Sequence, residues 1–132
     1  MIVVDSSVWI DFFRAIPTPQ ALWLKGMEKE EVGIAVLVLC EVLQGARSQR
    51  DFVAMQDAML SFTVLRGDEV ALAIAAAENY RTLRAKGITV RKMADTLIAT
   101  LCIRGHHELL HNDRDFDAFE KHLGLKVIHP SR

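Results

Sequence analysis

Two cysteines, three prolines and one tyrosine among 132 residues leave little of what holds small secreted or fibrous proteins together. Two cysteines make no disulfide framework. Cys40 and Cys102 both sit in apolar runs and read as small buried hydrophobes. A reducing cytoplasm follows as the expected compartment. No apolar run reaches the ~18 residues of a membrane span, and Asp5 interrupts the apolar start too early for a secretory leader. An excess of positive charge is missing too: 16 Lys and Arg face 17 Asp and Glu, for a net charge of −1. Such a chain is no polycation built to coat nucleic acid. A polyanion would have to be held locally, by a basic patch or by metal ions.

What is present is apolar residue in periodic order, 51% of the chain. Residues 1–132 fit a single domain that buries roughly two-thirds of its unfolded surface. Ile2-Val3-Val4 reads as a buried strand, followed by a helix to about Arg14 with Ser6 and Ser7 as N-caps. Pro17 and Pro19 break the chain before a helix over about 20–30. Further strands are expected over 32–35, 62–65, 108–111 and 125–128, and further helices around Glu41 and over 52–60, 68–86, 94–102 and 116–122. Gly87 and Gly105 read as helix terminators. Alternating strands and helices predict an α/β fold: a three-layer α/β/α sandwich with a mostly parallel central sheet. Ligands of such sheets gather beyond the carboxyl ends of the strands.

Asp5 and Asn112-Asp113 stand where strands would end. A helix N-cap explains Asp5 as well as a functional role does. Glu41 lies in the very apolar stretch Val36 to Leu43, where an unpaired carboxylate costs several kcal/mol if buried. It needs a partner, a cleft or solvent, and Gly45 at i+4 leaves space beside it. Asp95 occupies the first turn of the clearest helix, where the macrodipole favours an anion. Asp113, Asp115 and Asp117 follow a strand, and a capped turn accounts for at least one of them, most simply Asp117. Carboxylates converging at one sheet edge raise each other's pKa unless a cation neutralises them, and no basic partner is evident in the sequence. Hard oxygen donors with open positions suit Mg²⁺ or Mn²⁺.

At these residues the chain resembles the PIN-domain nucleases, and among them the VapC-type toxins of toxin–antitoxin pairs. The matching blocks are Val3-Val4-Asp5-Ser6-Ser7-Val8-Trp9-Ile10, Glu41-Val42-Leu43-Gln44-Gly45, the segment Gly87 to Thr100 and the segment Leu109 to Phe116. They cover nearly the whole chain in the family's order. The resemblance implies a Mg²⁺- or Mn²⁺-dependent endoribonuclease. Asp5, Glu41, Asp95 and Asp113 would be its catalytic metal-site acids, Asp115 an auxiliary ligand and Ser6 a supporting hydroxyl. It also implies an RNA substrate, a small antitoxin partner and a homodimer, with no membrane attachment. An acidic-site phosphatase or phosphotransferase is the competing enzyme class, but Asp5-Ser6-Ser7 lacks its usual second aspartate. A non-catalytic binding module for RNA or protein is the third reading.

Arg91-Lys92, Arg47 and Arg50 flank the acids and can hold phosphates or simply be solvated. His106, His107 and His111 match no standard zinc spacing, and a turn and a strand end account for them. Trp9, Phe12, Phe13, Leu22 and Trp23 crowd the first two helices. They are core residues by default, or the wall of a groove for a partner helix.

Overall fold

The computed structural model describes residues 1–130. Five short strands, β1 (Ile2–Val4), β2 (Val32–Ile34), β3 (Thr63–Val64), β4 (Glu108–Leu110) and β5 (Lys126–Val127), form one sheet in the order β3-β2-β1-β4-β5. Every pairing is parallel, with Ile2 opposite both Val32 and Glu108. Parallel neighbours require crossovers, and helices supply them. These are α1 (Ser6–Phe13), α2 (Pro19–Lys25), α3 (Val36–Leu43), α4 (Gln49–Leu60), α5 (Glu69–Ala85), α6 (Met93–Gly105) and α7 (Asp117–Leu123). Contacts run from α2 through α1 and α3 to α4, and among α5, α6 and α7, with α3 and α6 also touching; with the central sheet this gives an α/β/α sandwich.

Strands buried on both faces read as continuous β-branched runs. Val3, Val4, Val32, Ile34, Leu109 and Leu110 are accordingly inaccessible to solvent. Gly33 lets Leu65 pack closely on β2: a Cβ there would lie 2.9 Å from the Leu65 side chain, which would have to shift.

Several local expectations need correction. Asp5, not Ser6 or Ser7, is the N-cap of α1: its carboxylate accepts the Ser7 N–H, and Ser6 is already helical. Thr18 caps α2 with Pro19 at the first position, and Gly26 stops that helix, so 29–31 form a separate 3-10 turn. α6 does end at Gly105, as expected, but the left-handed residue that closes it is His106, at φ 55°. Gly105 is small for another reason, since a Cβ would lie 2.5 Å from the His107 ring. Gly45 lies past the end of α3, where a Cβ meets only the Val42 carbonyl at 3.5 Å. The space reserved beside Glu41 is therefore not its explanation. Cys102 is buried as expected, but Cys40 is exposed on α3. Asp117 does not cap α7; the capping carboxylate of that turn is Asp113.

Candidate active site

The chain leaves β1 toward β2 on one side and returns as β4 on the other, so the strand order reverses between β1 and β4. That reversal opens a crevice beyond the carboxyl ends of the two strands. The Asp5 N–H extends the ladder by donating to the Leu110 carbonyl at 2.9 Å. Asp5 Oδ2 accepts the Ser7 N–H at 3.1 Å and the Ser7 hydroxyl at 2.7 Å. The same Ser7 Oγ accepts the Asn112 N–H at 3.1 Å. One hydroxyl thus fixes the Asp5 carboxylate and the loop that carries Asp113. Sequence reading favoured Ser6 and missed Ser7. The legible signal was a hydroxyl two residues after a capping aspartate, the spacing of an Asx turn.

Asp95 projects from the first turn of α6 and is 3% exposed. Burial pushes its pKa up to about 6; Lys92 opposes the rise, while Asp5, Asp113 and Asp115 add to it. Asp113 caps the 3-10 turn 114–116, its Oδ1 accepting the Asp115 N–H at 2.9 Å and its Oδ2 the Lys92 ammonium at 3.2 Å. Burial works to raise the Asp113 pKa, but those two bonds hold it below the ordinary carboxylate value. His111, buried beneath the loop, accepts the Asp113 N–H through Nδ1 and packs on Phe116.

Oxygens of Asp95, Asp113 and Asp115 lie within 4.8 Å of one another. Asp5 and Glu41 lie outside that tight group but within its field. Glu41, half-buried on α3, is raised by burial and then by Asp5 and Asp113, against the Ser6 hydroxyl and Lys92. Asp5 Oδ1, Glu41 Oε1 and Asp95 Oδ2 are buried with no hydrogen-bond partner among the described residues. Carboxylate oxygens without hydrogen bonds on Asp5 at the end of β1, Glu41 on α3 and Asp95 on α6, together with the cluster of Asp95, Asp113 and Asp115, fit a divalent oxygen-loving cation such as Mg²⁺ or Mn²⁺.

One expectation is overturned: the acids do have basic partners. Arg91 reaches both Asp115 oxygens at 3.1 Å, and Lys92 lies 3.2 Å from Asp113 and 3.7 Å from Asp95. Spacing hid this, since residues 91–92 and 113–115 come together only through the fold. The aromatic expectation changes as well. Trp9 is 1% exposed and packs against Phe12, Phe13 and Phe62, so it belongs to the core and not to an open groove. Of the histidines, His106 ends α6, His107 Nδ1 lies 3.1 Å from the Met1 amine, and His111 supports the loop.

The PIN-domain family model matches residues 2–122. A VapC ribonuclease of Mycobacterium bovis is 31% identical over 130 residues, covering 96% of this chain and 97% of that protein. Among solved structures, VapBC2 of Rickettsia felis bound to a DNA fragment from its promoter is similar with a TM-score of 0.77 and 19% identity, covering 97% of this chain and 98% of that one. DNA-bound VapBC of Salmonella typhimurium gives a TM-score of 0.77 and 20% identity over 96% of both chains. At such identities the structural likeness speaks for the fold.

Proposed function

The chain belongs to the PIN-domain family, and from that premise we propose that it is a Mg²⁺- or Mn²⁺-dependent endoribonuclease acting as the toxin of a toxin–antitoxin pair. The observation that carries this reading is the set of buried oxygens on Asp5, Glu41 and Asp95 that accept no hydrogen bond among the described residues, together with the cluster of Asp95, Asp113 and Asp115. Like charges gathered in one crevice destabilise the fold, and are kept where a cation or substrate uses them. Asp5, Glu41, Asp95 and Asp113 would hold the metal, with Asp115 as auxiliary ligand and Ser6 and Ser7 orienting Glu41 and Asp5. The chemistry such a cation would supply there is a lowered pKa for a nucleophilic water and neutralisation of the charge that develops on a phosphodiester during in-line displacement.

This chain's residues supply the rest. Ser7 fixes the aim of Asp5, and the Asp115 N–H and His111 ring fix the Asp113 loop. Glu41 and Asp95 are both held above their ordinary pKa by burial and by neighbouring acids, a cost that a cation bound among them would relieve. Phe116 and the aliphatic floor of β1 and β4 keep water from below the site.

The relatives named VapC ribonuclease, and neighbours solved as VapBC assemblies, support RNA as substrate and a small antitoxin as partner. A groove of about 530 Å³ between α1, α3 and α4, lined by Phe13, Val42, Met55, Arg14 and Arg47, is the surface for an amphipathic partner helix. An arginine from that partner would satisfy Asp5 or Asp95 in place of metal. The active unit is a homodimer that meets RNA in the cytoplasm. No helix among the described residues is long and apolar enough to cross a membrane. The test is cleavage of mixed RNA by purified chain with Mg²⁺, with Mn²⁺ and with excess EDTA. Metal-dependent cleavage lost in Asp5→Asn is the expected result; robust cleavage in EDTA ends the metal mechanism.

A further inference from the structure

Lys92 and Arg91 sit on the loop between α5 and α6, with side chains 54% and 77% exposed. Lys92 Nζ spans two of the acids, at 3.2 Å from Asp113 Oδ2 and 3.7 Å from Asp95 Oδ2. It therefore joins the first turn of α6 to the loop after β4, where a shared cation would have to lie. Arg91 meets both oxygens of Asp115 at 3.1 Å. Among the described residues these carboxylates are the only hydrogen-bond or ion-pair partners of either side chain, so both can swing into solvent without breaking other polar contacts. We propose that Lys92, with Arg91 beside it, is a built-in counter-cation of the acidic crevice that a divalent ion must displace in order to bind.

The proposal rests on the reading of the crevice as a metal centre. Its physics is competition: an ammonium and a divalent ion seek the same oxygens, and whatever one gains there the other loses. The lysine keeps the metal-free carboxylates from repelling one another and sets a threshold on metal uptake. Once displaced, both cations stay tethered beside the site, available to phosphates flanking the scissile bond.

Calorimetric titration of the metal-free chain with Mn²⁺ tests this. Lys92→Met should bind Mn²⁺ tighter by on the order of tenfold, since a charge 3–4 Å from its partners is removed. It should also melt at lower temperature without metal. Lys92→Arg, which keeps the charge, should stay near wild type. Equal or weaker binding by a folded Lys92→Met, with wild type binding normally, overturns the proposal and leaves the nuclease reading intact. A wild-type chain that takes up no Mn²⁺ ends both. Independently of any variant, acylation of the Lys92 amine in wild type, followed by mass spectrometry, should quicken severalfold when Mn²⁺ is added. Unchanged labelling overturns the displacement.

Discussion

Helix α1 joins two regions of opposite character. At its first turn lie Asp5 and the acidic crevice, with orphaned oxygens on Asp5, Glu41 and Asp95 and further unpartnered atoms on Thr96 and His111. One turn later Trp9 stacks on Phe13 at 5.8 Å and meets Phe62 edge-on at 5.2 Å. At the aromatic end, among the described residues, the Trp9 Nε1 is the one buried side-chain polar atom without a hydrogen-bond partner. The difference separates what stabilises the fold from what the fold must tolerate. The aromatic end gains from burial. The acidic end is held in an unfavourable state by surroundings that over-determine it.

The contrast breaks first at Trp9. Trp9→Ala should cost about 3–5 kcal/mol of unfolding free energy, measured by urea denaturation, because it empties a fully buried aromatic site. A loss under 1 kcal/mol would mean that the aromatic end is not the structural one.

Asp5→Asn and Asp95→Asn should do the reverse. RNA cleavage should fall by roughly a thousandfold or more, while the metal-free melting temperature holds or rises. Asparagine still caps α1, and one repelling charge is gone. A sharp drop in stability for both would make these aspartates structural.

A pH series sharpens the same difference. Asp95 is raised from 3.8 to about 6, so between those values the folded metal-free chain holds a proton that the unfolded chain gives up. Stability should increase as pH falls from 6 toward 4, and be lost as pH rises through about 6, by on the order of 2 kcal/mol. Glu41, also raised, adds to the slope, whereas Asp113, held low, acts only below that window. Asp95→Asn should flatten the slope; an unchanged slope places the proton elsewhere.

The smallest effect is expected at Asp117, which is exposed and has no hydrogen-bond partner among the described residues. Asp117→Asn should leave cleavage within about twofold of wild type and stability within roughly 0.5 kcal/mol, whereas Asp113→Asn should cut cleavage strongly. Equal losses would show that the whole 113–117 turn serves the site.

The sheet was legible because its strands are buried on both faces and carry unbroken β-branched runs; Ile2-Val3-Val4 could be little else. The first and last turns of helices were harder. Thr18, Ser48 and Asp68 each cap a helix, and the N-cap role weighed for Asp5 is real, whereas Ser6 and Ser7 lie inside α1. Asp5, Glu41, Asp95, Asp113 and Asp115 stood out as acids in apolar or strand-end contexts. Their partners did not, because the pairing of Lys92 with Asp113 spans 21 residues and that of Ser7 with Asn112 spans 105. Local periodicity carries no information about such distances. Gly45 shows the converse error, in which a small residue was given a local role that its actual neighbours do not support.

The 105-residue reach from Ser7 to Asn112 also bears on how the protein is made. A ribosome adding roughly 5–20 residues per second delivers Asp5 several seconds, up to about 20 s, before Asp113. Until β4 docks on β1, the emerging polypeptide holds an incomplete set of acids. An enzyme that cuts RNA would endanger the message and the machinery producing it. Because the carboxylates are split between the end of β1 and the loop after β4, the crevice can assemble only once β4 has paired with β1.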